Sequence, residues 1–239
     1  MSEPESNELE MSEAESFALK VPKRKKSKKA PDPFEAKGFT GTVYSVVHDV
    51  VCMLSVIVVT FVLAVRLVGV SGSSMYPTLV GENEMVGNFG DYLILRSNFL
   101  CSSYEQGDIV VACVPSYENG KPIVKRVIAT GGQTVSFRIG VDDLCMHVYV
   151  DGEKQPEDYI NEPMLPWGIP SDGYSVQVPE GCYFLMGDNR NDSKDSRSPE
   201  VGMVDGRFIA GKALWLLFPG QDTQQGNARN WKRIGDIYD

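Results

Sequence analysis

Three regimes of hydrophobicity follow one another along the chain. Residues 1–42 are polar throughout, with Glu and Ser dominating the first part and Lys and Pro the second. Nothing there forms an apolar face, which predicts a disordered tail. From 50 to 65 no charged residue occurs, and the apolar stretch reaches back to Val43 across His48 and Asp49 and forward to Val70 across Arg66. A bilayer core ~30 Å thick needs about 20 helical residues. Segment 43–70 meets that length when His48 and Asp49 lie at one interface and Arg66 snorkels to the other. It is apolar all round, which argues against a buried helix of a soluble domain. Its length, and the long polar tail ahead of it, argue against a cleaved signal peptide. The expectation is one transmembrane helix over 43–70.

From residue 71 the pattern shortens. Runs of apolar or β-branched residues at 92–95, 109–114, 123–129, 134–137, 147–150, 174–178, 182–186 and 213–218 are separated by Gly, Pro, Asn and Asp. They predict a mainly β, antiparallel domain over 71–239. Asp151-Gly152 between two such runs is the signal of a tight hairpin. The stretch 161–172, with Pro163, Pro166, Trp167 and Pro170, reads as an irregular loop.

Charge adds an orientation. The chain of 239 residues carries a net charge of −9, which argues against general nucleic-acid binding. Its basic cluster, Lys23-Arg24-Lys25-Lys26-Ser27-Lys28-Lys29, lies in the tail just ahead of the apolar segment. By the positive-inside rule it holds the N-terminus in the cytoplasm and sends the β domain to the outer face. None of the five cysteines forms a C-x-x-C pair, so a zinc ribbon or thioredoxin-type motif is excluded. Cys52 falls in the apolar segment. Cys101, Cys113, Cys145 and Cys182 follow it, either as up to two disulfides or as free buried thiols.

Three segments carry candidate chemistry. Ser74 sits in Ser71-Gly72-Ser73-Ser74-Met75-Tyr76-Pro77-Thr78. Gly72 permits a positive φ and Pro77 fixes a turn, so the hydroxyl can be presented beside free backbone N–H groups. A serine nucleophile needs a base. Of the two histidines, His48 is in the apolar segment and His147 is in a strand, most simply as an outward or edge side chain. Lys125, among Ile123, Val124, Val127 and Ile128, can serve if burial keeps its amine neutral. The alternative is an ordinary charged pair with Arg126. The third segment, Gly187-Asp188-Asn189-Arg190-Asn191-Asp192-Ser193-Lys194-Asp195-Ser196-Arg197, is either a polar surface loop or the brace of an active site. It lacks the terminal Glu of an EF-hand, so no metal is expected there.

Together these runs resemble the bacterial type I signal peptidases, membrane-anchored serine–lysine endopeptidases. The matching pieces are Gly72-x-Ser74-Met75-x-Pro77-Thr78-Leu79, Gly107-Asp108-Ile109-Val110, Lys125-Arg126-Val127-Ile128-Ala129-x-x-Gly132 and Met186-Gly187-Asp188-Asn189-Arg190-x-x-Ser193-x-Asp195-Ser196-Arg197, over roughly residues 43–218. The resemblance implies a catalytic core shared with LexA-like self-cleaving repressors. It implies Ser74 as nucleophile, Lys125 as general base and Ser193 as the hydroxyl that orients the lysine amine. Asp195 and Arg197 would support the site structurally, Asp188 and Arg190 would scaffold it, and Gly72, Ser73 and Met75 would border the oxyanion site and substrate groove. It implies no cofactor and no metal. The expected partners are secretory preproteins with small residues before the cut, membrane lipid and a nearby secretion translocon. Two positions depart from the pattern. Gly72 stands where some members have an oxyanion-binding serine, so backbone N–H groups, chiefly that of Ser74, must do that work. Gln133 stands where the family often has Asp. The stretches 79–91, 117–121 and 139–146 read as loop insertions. A dedicated processing peptidase, a self-cleaving protein and an inactive peptide-binding module are the alternatives.

Overall fold

The computed structural model describes residues 39–83, 85–98, 103–167, 170–226 and 228–238. Residues 1–38, with the basic cluster, and Cys101 lie outside the described residues, whereas 39–42, expected to end the disordered tail, are helical. Helix α1 (Phe39–Ala64) contains one stretch, Gly41–Ala64, long and apolar enough to cross a membrane, and residues 42–63 of it are exposed. The strands that follow are β1 (Val65–Gly69), β2 (Tyr92–Ser97), β3 (Ile109–Cys113), β4 (Pro122–Thr130), β5 (Thr134–Ile139), β6 (Met146–Val150), β7 (Glu153–Lys154), β8 (Ser175–Gln177), β9 (Cys182–Met186), β10 (Val204–Asp205), β11 (Ile209–Phe218), β12 (Gln221–Asp222), β13 (Ala228–Arg229) and β14 (Gly235–Asp236).

The apolar segment does not run as helix to Val70. It ends at Ala64, and β1 pairs antiparallel with β2 from Val65↔Arg96 to Gly69↔Tyr92. Hydropathy cannot mark this change, because Val and Leu suit a strand as well as a membrane helix. Arg66 therefore lies on an edge strand opposite Leu95.

The expected antiparallel β domain is present. The larger sheet runs β1-β2-β11-β3-β4-β9-β10, with β14 against β11, and a second sheet runs β7-β6-β5-β8. Side-chain alternation divides the core. Ile109 and Val111 join Leu93, Leu95, Leu79 and Leu216, whereas Val110 and Ala112 join Val127, Leu185 and Ile209. Phe137, Val148 and Phe184 fill a further cluster that links β5 and β6 to β9. Asp151 (φ 52°) and Gly152 (φ 86°) make the two-residue hairpin between β6 and β7. Gln133 closes the turn after β4 by accepting from the Thr130 N–H at 2.8 Å and donating to Asp151 at 3.3 Å. An amide thus does the bracing for which an Asp was expected. The described cysteines, Cys52, Cys113, Cys145 and Cys182, are all free thiols.

The pairing of β4 positions the site. Its whole first half, 122–126, pairs with β3, but β9 joins it only from Arg126 onward. Among the described residues no strand covers the other edge of 122–125.

Candidate active site

Ser74 lies in a tight turn that begins at Gly72, whose φ of 79° is one that a side chain disfavours. The Tyr76 N–H donates to the Ser73 carbonyl at 3.0 Å, and the Leu79 N–H donates to the Met75 carbonyl at 2.8 Å. The Ser74 N–H makes no hydrogen bond to any described residue. The Ser73 hydroxyl is instead committed to Asp192. Met75 does not border the groove. It is 1% exposed and packed with Leu79, Leu95 and Val124, because the turn directs Ser74 outward and its neighbour into the core.

Lys125 meets Ser74 from β4. Its Nζ lies 2.6 Å from Ser74 Oγ and donates to the Val124 carbonyl at 3.0 Å. The lysine is 3% exposed. Burial lowers its pKa to about 8; Asp195 and Asp188 pull it up, and Arg197 pushes it down. Neighbours on a strand point to opposite faces. Arg126 accordingly turns away from Ser74 and forks onto Asp188, with contacts of 2.9 and 2.6 Å. The charged-pair alternative for Lys125 and Arg126 is thus resolved: the two side chains have separate partners.

The segment after β9 is the brace and not a surface loop. Its main chain clamps the serine turn, with the Asn189 N–H donating to the Ser74 carbonyl at 3.0 Å and the Asn189 side chain donating to the Ser73 carbonyl at 3.2 Å. Gly187 is required by space: a Cβ there would sit 2.3 Å from Ser193 Oγ and 2.4 Å from the Ser74 carbonyl oxygen. Fully buried Asp188 joins β4 to the serine turn, accepting from Arg126 and from the Thr78 hydroxyl at 2.6 Å. Fully buried Asp195 takes the Arg197 fork at 2.8 and 2.7 Å and the Gly187 N–H at 2.9 Å. These donors hold its pKa low against its burial. The Ser193 hydroxyl donates to Asp195 at 2.7 Å. None of the hydrogen bonds of Lys125 goes to Ser193, so the serine reaches the amine through the carboxylate that pulls on it.

Two supporting residues, Glu157 and Tyr159, carried no signal in the sequence. Arg190 donates to the Gly187 carbonyl, to Glu157 and to the Tyr159 hydroxyl, and the Tyr159 ring lies 4.1 Å from the Arg126 guanidinium carbon. Glu157 and Tyr159 sit in a loop with no periodicity, and their partners are some 30 positions away. Thr78 and Arg126 stood inside matched motifs, but only the structure gives them roles. His147 pairs with Asp143 at 2.8 Å, and β6, which carries it, is an interior strand of the second sheet and not an edge.

A groove of ≈ 670 Å³ runs past the pair. Gly72, Ser73, Ser74 and Lys125 line it together with the open edge of β4 at Ile123 and Val124. Among the described residues no cluster of His, Cys, Asp and Glu is fit to hold a metal ion.

Comparison with known proteins bears on this arrangement. Residues 43–218 match the family described as signal peptidase, peptidase S26. The chain is 34% identical over 166 residues to signal peptidase I T of Bacillus subtilis (strain 168), across 65% of this chain and 75% of that protein. It is 33% identical over 174 residues to a probable signal peptidase I-1 of Synechocystis sp., across 70% of this chain and 74% of that protein. A crystal structure of a signal peptidase I from Enterococcus faecalis V583 aligns over 46% of this chain and 96% of its own, at 28% identity and a TM-score of 0.35.

Proposed function

The chain belongs to the signal peptidase family, peptidase S26, and we propose that Ser74 and Lys125 are the nucleophile and general base with which it removes signal peptides from secreted preproteins. It is a serine endopeptidase and a single-pass membrane protein. The observation that carries the dyad is the 2.6 Å approach of a buried amine to the Ser74 hydroxyl.

The chemistry follows from that geometry. Neutral Lys125 takes the Ser74 proton as Oγ attacks the carbonyl carbon before the cut. The free Ser74 N–H faces the developing oxyanion. Collapse breaks the C–N bond, and the lysine proton passes to the departing amine of the mature protein. The signal peptide remains as an ester on Ser74. Lys125 then takes a proton from a water molecule as its oxygen attacks the ester; collapse breaks the bond between the acyl carbon and Ser74 Oγ, and the lysine returns that proton to the serine. Asp188 and Arg126 hold the two reacting elements in register. Asp195 and Arg197 set the field at the amine, and Ser193 and Arg190 keep that carboxylate and the Gly187 turn in place. The uncovered edge of β4 supports the binding of an extended substrate by main-chain pairing. The family resemblance is what supports small residues before the cut. No metal or organic cofactor enters this scheme.

We further infer the N-terminus to be cytoplasmic and the β domain to lie on the outer face, where lipid and the secretion translocon present the preprotein. The basic cluster in the tail supports that orientation.

The test is cleavage of a preprotein in detergent or liposomes. Ser74→Ala and Lys125→Ala each abolish cleavage while the circular dichroism spectrum is unchanged. Lys125→Arg fails as well, since a guanidinium stays protonated. Retained cleavage in either alanine variant removes the dyad. Mass spectrometry of products from several preproteins separates a general from a dedicated peptidase.

A further inference from the structure

Thr78 is held from two sides. Its hydroxyl donates to Asp188 at 2.6 Å. Its carbonyl accepts from Arg233 Nη2 at 2.9 Å. The same guanidinium bonds fully buried Asp91 through Nη1 at 3.1 Å and Nη2 at 2.7 Å. Asp91 in turn accepts the Val80 N–H at 2.8 Å and the Gly220 N–H at 2.5 Å. A line of charge-assisted contacts therefore runs from Arg126, beside the lysine, through Asp188 and Thr78 to Arg233 and Asp91.

The turn passes the position of Thr78 on to Ser74. The Ser73–Tyr76 and Met75–Leu79 hydrogen bonds close the turn that holds both Ser74 and Thr78, which couples the position of Thr78 to that of Ser74. The family match ends at residue 218, so Arg233 and Gly220 lie beyond it. The segment that carries Arg233 also brings Asp222, Thr223 and Gln224 to the groove.

Resting on the dyad reading above, we propose that Arg233 is a positioning residue for the nucleophile: it fixes the Thr78 carbonyl and so sets the Ser74–Lys125 distance. It touches neither substrate nor the reacting atoms. Its removal leaves Asp91 with two backbone donors, so the variant is expected to fold. What it loses is the hold on Thr78.

The experiment uses the full-length protein in detergent, with active sites titrated by a peptide-based serine inhibitor. Arg233→Ala lowers kcat per titrated site about tenfold or more, with KM within twofold of wild type. Arg233→Lys is intermediate, because an ammonium cannot fork onto Asp91 and Thr78 together. Millimolar guanidinium restores part of the Arg233→Ala rate. An unchanged kcat per titrated site overturns the proposal, even if fewer sites titrate, for that is a purely structural role. A rise in KM alone also overturns it, and assigns the segment to the groove wall. If the wild-type enzyme is not labelled at Ser74, the dyad itself fails, which is a distinct result.

Discussion

Lys125 is where charge, burial and reactivity meet. A lysine in water holds its proton to pH 10.5, but here burial brings the pKa to about 8. Only the neutral amine accepts the Ser74 proton, so kcat/KM rises with pH through a midpoint near 8 and then levels off. A stopped-assay pH profile checks this. Asp195 is the strongest group pulling that value upward, and Arg197 opposes it. Asp195→Asn therefore lowers thermal stability, yet moves the midpoint of the surviving activity to lower pH. A midpoint shifted upward would mean that the carboxylate does not act on the amine through its charge. Lys125 and Ser74 were legible in the sequence through their motifs. The low pKa was legible only as a possibility, since flanking Ile and Val suggest burial without measuring it. Met75 was misread because a motif position says nothing of which way a side chain turns.

The junction of β9 with the loop after it does at the level of elements what Lys125 does at the level of atoms. Gly187 lets two peptide segments and the Ser193 side chain approach where any Cβ would collide. Gly187→Ala is expected to lower kcat at least tenfold while the β spectrum persists, as seen in cleavage assays beside circular dichroism. Asp188→Ala leaves the Arg126 guanidinium buried without its carboxylate, at a cost of about 3–5 kcal/mol, readable by urea unfolding. Most strands were legible to within a few residues because alternation and turn residues mark them. The end of α1 was not, since β1 is as apolar as the helix before it. The Glu157, Tyr159 and Arg190 contacts were not legible either. They join residues more than 30 positions apart, and no local pattern records such pairing.

On the scale of the whole molecule, only β1 and one short turn separate the membrane helix from Ser74. Tethering enzyme and preprotein to one bilayer raises their mutual concentration without a new contact. Orientation gives the matching prediction. In right-side-out vesicles, added protease digests the β domain and leaves an epitope in the N-terminal tail protected; the reverse pattern would invert the topology.

Among the described residues the second edge of β4 at 122–125 has no strand beside it, and in the proposed docking an extended preprotein fills that edge. A ladder of main-chain hydrogen bonds does not distinguish an intact preprotein from the piece cut off it. The severed leader keeps every backbone group that docked it and loses only its bond to the mature chain. Under the proposed docking, leader-derived peptides ending at the cut are expected to compete with fresh preprotein for the vacant edge, read as competitive inhibition of cleavage.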